Sequence, residues 1–362
     1  MSNNSNWLCC QIGAREHYAI PRALQRVGSL KRLFTDSWIR PNGLPGVTNN
    51  GRFHEGLESS VVSASNMGSV RFELIAKARG YTGWQLIQAR NGWFQEYVLD
   101  QLKNNYYNGN GQPPTVFAYS YAAERIFAFA RGRGWKTVLG QIDPGPKEEE
   151  LVAELSKTRN CVSPWEPAPA SYWQRWQREC DFADCIVVNS DWSRDALVTH
   201  GIAADKIKVI PLAFEPSAEA KTFIRTYPLV FTPERPLRVL FLGQVCLRKG
   251  IGALFQAITQ LQNEPIEFWF VGPMQVEIPS ALQSDSRVRW MGSVPRLHTS
   301  DYYRKADVFI FPTLSDGFGL TQLEAQSWKL PVIASRYCGS VVEDGVNGYV
   351  LPEVSAAAIE NA

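Results

Sequence analysis

Asp316 and Glu324 enclose seven residues that begin Gly317, Phe318, Gly319, Leu320. A strand-like apolar run, Asp307–Pro312, leads into this stretch, and a second, Pro331–Ser335, follows it. The order strand, glycine loop, helix start places the loop at the carboxyl end of a parallel strand, where open α/β sheets bind ligands. Gly317 and Gly319 let backbone amides come close to a ligand, and the N–H groups of Phe318 to Leu320 point outward from the new helix. An anion suits them, phosphate above all. Glu324 falls one turn into the helix. A carboxylate there repels phosphate but accepts hydrogen bonds from hydroxyls such as those of a ribose. Acids at helical spacing alone are usually a solvated face, so the glycines between them carry the reading.

A second group lies upstream. Residues 242–250 join a strand to a helix starting near Ile251, with Gly243 and Gly250 bracketing the loop. Arg248 and Lys249 bring a planar fork and a point charge to another strand end, and both suit phosphate oxygens. A solvated basic loop is the alternative. In the first half, Gly13 and His17 follow the first strand-like run, although one glycine after a strand is commonplace and His17 is equally a helix-surface residue. Pro21 implies that the helix there starts late or is interrupted. Asp143, just after a strand, either accepts from a bound hydroxyl or caps the turn before Pro144.

These residues need a scaffold of alternating elements, and the chain supplies one. Strands are expected at 7–12, 32–37, 115–119, 137–142, 185–189 and 207–211. A second series is expected at 238–243, 266–272, 288–292, 307–312, 331–335 and 348–351. Strands separated by helical stretches imply parallel sheets covered on both faces. The proline-rich stretch 213–236 divides the series into a domain at 1–212 and another at 237–362. Residues 42–50 read as a loop. Trp173 and Trp176, at i and i+3, share a helix face and read as core.

Taken together, Asp316 to Glu324, Lys249-Gly250 and residues 338–350 resemble the retaining GT-B glycosyltransferases of glycosyltransferase family four. The resemblance is specific from Arg238 to Pro352 and diffuse before it. It implies an α/β, GT-B fold of two Rossmann-like domains facing across a cleft. It also implies transfer of a sugar from a nucleotide diphosphate donor to an acceptor hydroxyl with retention. Lys249 and Arg248, with the N–H groups of Phe318 to Leu320, would steady the leaving diphosphate. Asp316, where relatives carry glutamate, would hold the donor sugar, and Glu324 the ribose. Gln244 stands at the usual arginine position, and Arg248 would supply the missing charge. The turn around Ser293 and Val294 would meet the nucleobase through its backbone. Gly13 and His17 would face the donor, and Asp143 the acceptor. No protein nucleophile, metal or cofactor is implied. Lys329 replaces the glycine that usually ends the helix after Glu324, so a changed turn is expected. The usual last helices are expected to be missing after Ala362.

The composition fits this picture. With 45% hydrophobic and 20% charged residues, disorder is excluded for the bulk, and a net charge of +2 gives no reason to expect nucleic acid. Seven cysteines without a CxxC pair argue for reduced thiols, not for a disulfide framework or a zinc site. Without a secretion signal or a spanning segment, a cytoplasmic chain is expected. Arg15, Arg22, Arg26, Lys31 and Arg32 offer either a basic helix for peripheral contact with anionic lipid at the inner face of the membrane, or a solvated face. The expected partners are a nucleotide-sugar donor and a glycan, lipid-linked or small-molecule acceptor. Two other functions stay open: a GT-B nucleotide-sugar epimerase, and a non-catalytic sugar-nucleotide binder.

Overall fold

A computed structural model describes residues 6–40, 51–106, 112–157 and 163–362. The expected loop at 42–50 and Cys161 lie outside them. The chain gathers into two compact units: Met1–Ile142 with Ala168–Val187 and Ile202–Lys208, and Asp143–Pro167 with Val188–Gly201 and Val209–Ala362.

The first unit is built on seven strands: β1 Trp7–Gln11, β2 Leu30–Thr35, β3 Val62–Ala64, β4 Thr115–Tyr119, β5 Lys136–Gly140, β6 Cys185–Val188 and β7 Ile207–Val209. Their order is β3-β2-β1-β4-β5-β6-β7, and β1 pairs in parallel with both β2 and β4. Successive residues of β1 and β4 go to opposite faces. Cys9, Phe117 and Tyr119 join Tyr18, Leu33, Trp38 and Leu57 in one core, while Leu8, Cys10, Val116 and Ala118 are buried on the other face. Burial of both faces is what makes parallel strands read as unbroken apolar runs. Three of the helices matter below: α1 Ala19–Arg26, α2 Asn66–Ala78 and α3 Gly83–Tyr106.

The second unit carries β8 Leu237–Leu242, β9 Ile266–Val271, β10 Val288–Gly292, β11 Val308–Phe311, β12 Val332–Ala334 and β13 Gly348–Val350, in the order β10-β9-β8-β11-β12-β13. The same alternation builds two cores. Val239, Phe241, Phe268, Phe270 and Ile310 face one way; Leu240, Trp269, Val271, Phe309 and Phe311 face the other. All twelve expected strands are present within a few residues. The thirteenth, β3, went unforeseen because an edge strand of three residues leaves no periodic trace. Residues 213–236, expected as a linker, lie along this unit: the Arg225 guanidinium donates to the carbonyls of Tyr303, Ala306 and Trp328.

Two local expectations change. Lys329 takes the left-handed conformation itself, at φ +59°. The Leu330 amide donates to Ala325 O and the Lys329 amide to Gln326 O, which is the glycine-type helix ending with a lysine in it, so the turn is not altered. The early cations do not form one basic helix. After α1 the chain turns at Gly28, φ +67°, and enters β2, which carries Lys31 and Arg32. Arg32 donates to Ser60 O at 2.7 Å, and Lys31 sits over the Tyr106 ring.

Candidate functional site

In each sheet the strand order reverses direction beside one central pair: β8 and β11 in the second unit, β1 and β4 in the first. Chains leaving such a pair in opposite directions open a crevice at the carboxyl ends. The predicted residues of the second unit collect there. After β8 the chain runs through Gly243 and the exposed Gln244 into a short 3-10 turn, Leu247–Lys249. It then turns at Gly250, φ +70°, where a Cβ atom would lie 1.9 Å from Pro312 O. Only glycine fits there. The loop after β11 is tied to this turn by backbone contacts. The amides of Leu314 and Ser315 donate to Arg248 O at 2.7 and 3.2 Å, and Thr313 Oγ1 donates to it at 3.1 Å.

Four charges meet between these loops. Lys249 Nζ contacts the Asp316 carboxylate directly and lies 4.5 Å from the Phe311 ring centroid. Arg248 reaches the same carboxylate at 3.4 Å, and its Nε is 3.4 Å from Glu148 Oε1. Glu148 also accepts from Ser315 Oγ at 3.0 Å. Burial pushes the Lys249 ammonium down to about 7, with the neighbouring Arg248 charge second, while Glu148 pulls it up. Contact with Asp316 is a further force that keeps the proton on Nζ. Burial raises the Glu148 carboxyl, opposed by Arg248 and assisted by Asp143. The other Asp316 oxygen accepts from the Phe318 amide at 3.1 Å, so of the three N–H groups expected to serve phosphate, one is used internally. Among the described residues, the amides of Gly319 and Leu320 have no protein acceptor.

Gly319 bends at φ +80° with Phe311 packed where a side chain would project, and Gly317 O accepts from Ser193 Oγ at 3.4 Å. The helix Thr321–Ser327 begins here and sets Glu324 in its first turn. One Glu324 oxygen accepts from Tyr303 O–H at 2.9 Å, and the other is 3.4 Å from the Arg296 guanidinium. Arg296 stands two residues after Val294, in the turn leaving β10, so this turn adjoins Glu324.

The crevice of the first unit is made differently. Gly13, φ +78°, donates its amide to Asp36 Oδ1 at 2.8 Å, and Asp36 pairs with Arg52 at 2.9 Å. Then Glu16, His17 and Tyr18 run consecutively in the left-handed region, at φ +50°, +53° and +59°, before α1 starts at Ala19 with Pro21 in its first turn. The late start follows from that run. Glu16 accepts from Tyr119 O–H, on β4, at 3.0 Å, and burial raises its carboxyl above the ordinary range. Just past β4, Tyr121 is also left-handed, at φ +74°. The buried Glu179 carboxylate fixes it by accepting from the amides of Tyr121, Ala123 and Glu124 at 2.6, 2.7 and 3.1 Å. Burial raises Glu179 to about 7, and the three amides oppose it. Gln141 bridges Tyr121 O–H and Trp176 Nε1 at 3.2 and 3.0 Å, and Trp176 is core as expected.

Residues 236–362 match the family described as Glycosyl transferases group 1. The match covers about the last third of the chain. The chain is 31% identical over 192 residues to a D-inositol 3-phosphate glycosyltransferase of Xylanimonas cellulosilytica, covering 47% of this chain and 45% of that one. It is 26% identical over 178 residues to the amylovoran biosynthesis glycosyltransferase AmsK of Erwinia amylovora, covering 45% and 42%. The chain thus spans about half the length of the curated relatives it matches. Two solved structures resemble nearly all of it. Sucrose-phosphate synthase of Thermosynechococcus elongatus matches with TM-score 0.60 at 18% identity, over 99% of this chain and 88% of that one. Anabaena HepE in complex with UDP-glucose matches with TM-score 0.58 at 15% identity, over 98% and 88%. These likenesses establish the GT-B fold.

Within the group 1 region, the structure brings Arg248, Lys249, Asp316 and Gly317 to Leu320 together at one crevice, and the turn that carries Val294 reaches Glu324 through the Arg296 side chain. Gln244 is exposed and makes no part of the charge cluster. Gly13 and His17 lie in the first unit's crevice. Asp143 accepts from the Gly145 amide at 2.9 Å, as a turn cap does. Four partners escaped the sequence: Glu148, Tyr303, Arg296 and Glu16. The first three act through contacts separated by 167, 21 and 28 residues, which no local spacing records. Glu16 sits in an unremarkable run whose left-handed turn no glycine marks.

Proposed function

We propose that the chain is a retaining, metal-independent glycosyltransferase that moves a sugar from a nucleotide diphosphate sugar to an acceptor hydroxyl. The observation that carries this is the convergence of Arg248, Lys249 and the amides of Gly319 and Leu320 at the switch point of the group 1 region. Two cations and two N–H groups complement a diphosphate and stabilise the charge that grows on it as the glycosidic bond breaks. Glu324 holds the ribose hydroxyls, and Tyr303 and Arg296 fix its orientation. The turn at Val294, joined to Glu324 through Arg296, receives the nucleobase. Asp316 serves twice: it is the counter-charge of Lys249 and, through its remaining lone pairs, a partner for donor-sugar hydroxyls. The acceptor binds on the first unit, where Glu16 offers a carboxyl to a sugar or other polyol. No protein nucleophile is assigned. The relatives' names and the UDP-glucose bound to HepE support a nucleotide-sugar donor. Among the described residues no helix is long and apolar enough to cross a membrane.

Thermal shift with UDP, GDP and ADP tests this, with Glu324→Ala as the control. A nucleotide present at about 100 times its Kd stabilises by roughly 2.7 kcal/mol. One nucleotide should raise the Tm of the native protein and leave the variant unmoved. No shift with any of the three overturns the donor site. The Lys249–Asp316 pair also favours a second reading, a non-catalytic binder whose lysine charge is already neutralised. Such a protein would show the same shift without releasing nucleotide from any nucleotide sugar.

A further inference from the structure

The first unit exposes an apolar helix face that the transfer reaction does not use. Met67, Val70 and Leu74, at i, i+3 and i+7 of α2, are 79%, 53% and 65% exposed, and Ile75 beside them is 39% exposed. Four large apolar side chains on one face of one helix are not scattered surface hydrophobics. The opposite face explains why α2 stays folded in this orientation. Ala76 is buried, Phe72 stacks on Trp93 of α3 at 5.4 Å, and Asn66 exchanges two hydrogen bonds with the Trp38 backbone. The helix is therefore anchored by one side, and its apolar side is turned to solvent.

Charge says what covers that side. Arg71, Lys77 and Arg79 are exposed on or just beyond α2. The helix has one acid, Glu73, and Arg90 of α3 holds it at 2.8 Å. The face is thus apolar along its middle, with cations around it and its single carboxylate paired. A protein partner of ordinary composition has no need of this arrangement. A bilayer interface does, because apolar side chains enter the acyl boundary while long basic side chains extend to anionic headgroups. The chain as a whole carries only +2, so this local excess is not a general property of its surface.

We propose that α2 is a membrane-docking helix that lies in the plane of an anionic lipid surface, with Met67, Val70 and Leu74 inserted and Arg71, Lys77 and Arg79 on the headgroups. This places lipid contact on α2, away from the cations first considered for it, of which Arg32 and Lys31 are engaged within the unit. The inference does not depend on the catalytic reading, which gives none of these residues a role.

The test is flotation of the full chain with vesicles of phosphatidylglycerol mixed into phosphatidylcholine, and with phosphatidylcholine alone. Binding is expected to the anionic vesicles and to fall steeply as salt rises. Leu74→Asp should lower the partition coefficient about tenfold or more, because an inserted leucine contributes most of the apolar term at that point. The double variant R71E/K77E should lose the preference for anionic lipid. All three substitutions are at exposed positions, and an unchanged Tm confirms that the fold is intact. Absence of vesicle binding at low salt, or binding that Leu74→Asp leaves unchanged, overturns the proposal. Concentration-dependent dimerisation that Leu74→Asp abolishes, without vesicle binding, would assign the face to a second copy instead.

Discussion

At the switch point of the second unit the chain bends on Gly250 and Gly319; at that of the first it bends on Gly13 and then on four residues that are not glycine, Glu16, His17, Tyr18 and Tyr121. Four of the five non-glycine residues in the left-handed region, among the described residues, flank β1 and β4. Each costs about 1 to 2 kcal/mol relative to an ordinary conformation, and such outliers persist where a site requires them. On the proposed function the two crevices would recognise their ligands by different means. Glycine removes side chains so that backbone and two cations can meet a phosphate, a group common to all donors of this chemistry. A strained turn keeps its side chains and, with Tyr18 buried in the core beneath it, holds Glu16 and His17 at fixed angles, which would suit a ligand that differs from one enzyme to the next.

The comparison is broken most severely at Lys249. Lys249→Met should lower the transfer rate by roughly 10²- to 10³-fold, the usual cost of losing one preorganised donor to a developing anion. It should also remove a pH dependence. The native ammonium titrates from a depressed value of about 7, so nucleotide affinity should fall as pH rises from 7 to 9, with proton uptake on binding visible by calorimetry in buffers of different ionisation enthalpy. The sign for stability is opposite. Between the depressed folded pKa and the ordinary value near 10.5, the unfolded chain binds more protons, so this group's contribution to stability rises with pH over the same window.

Gly250→Ala comes next. The added methyl meets Pro312 O in a left-handed turn, and the two effects together should destabilise the protein by about 2 to 4 kcal/mol in urea denaturation. If the loss is below about 0.5 kcal/mol, the β8 turn is not held against β11 as described.

Glu16→Gln probes the other crevice. It keeps the shape and the hydrogen bond to Tyr119 but removes the ionisable group. Transfer measured as kcat/KM for the acceptor should fall about tenfold, with nucleotide affinity unchanged. A change in nucleotide affinity alone would place Glu16 with the donor and erase the distinction between the two crevices.

The smallest effect belongs to Lys329→Gly, which should stabilise by about 1 kcal/mol, read as a Tm increase without altered activity. The position closes a helix with the hydrogen bonds that glycine normally supports, so the lysine carries strain with no ligand-facing role.

What could be read in the sequence follows the same division. The strands were legible because parallel strands buried on both faces are continuous apolar runs. Lys249, Asp316 and Glu324 were legible because glycines mark where the backbone turns, and the marks lie close together in the chain. Glu148 was not, since its partners Arg248 and Ser315 are brought to it only by folding. Glu16 was not, because nothing in the residues 13–18 announces three consecutive left-handed turns. For the cations from Arg15 to Arg32, the alternative of one basic helix fails because the chain turns at Gly28 and enters β2.

The Lys249–Asp316 contact has a consequence for selectivity. Any anion that approaches the lysine meets a rival already tethered to the chain, present at a local concentration set by the fold and not by the cell. A free phosphate ion, with one small point of attachment, is a weak challenger. In the proposed donor site a nucleoside diphosphate would bring further anchors, its ribose at Glu324 and its base at the Val294 turn, and would win the lysine through their combined hold. On the proposed function the internal carboxylate would screen the site against abundant ambient phosphate and leave it responsive to ligands long enough to grip it at several points.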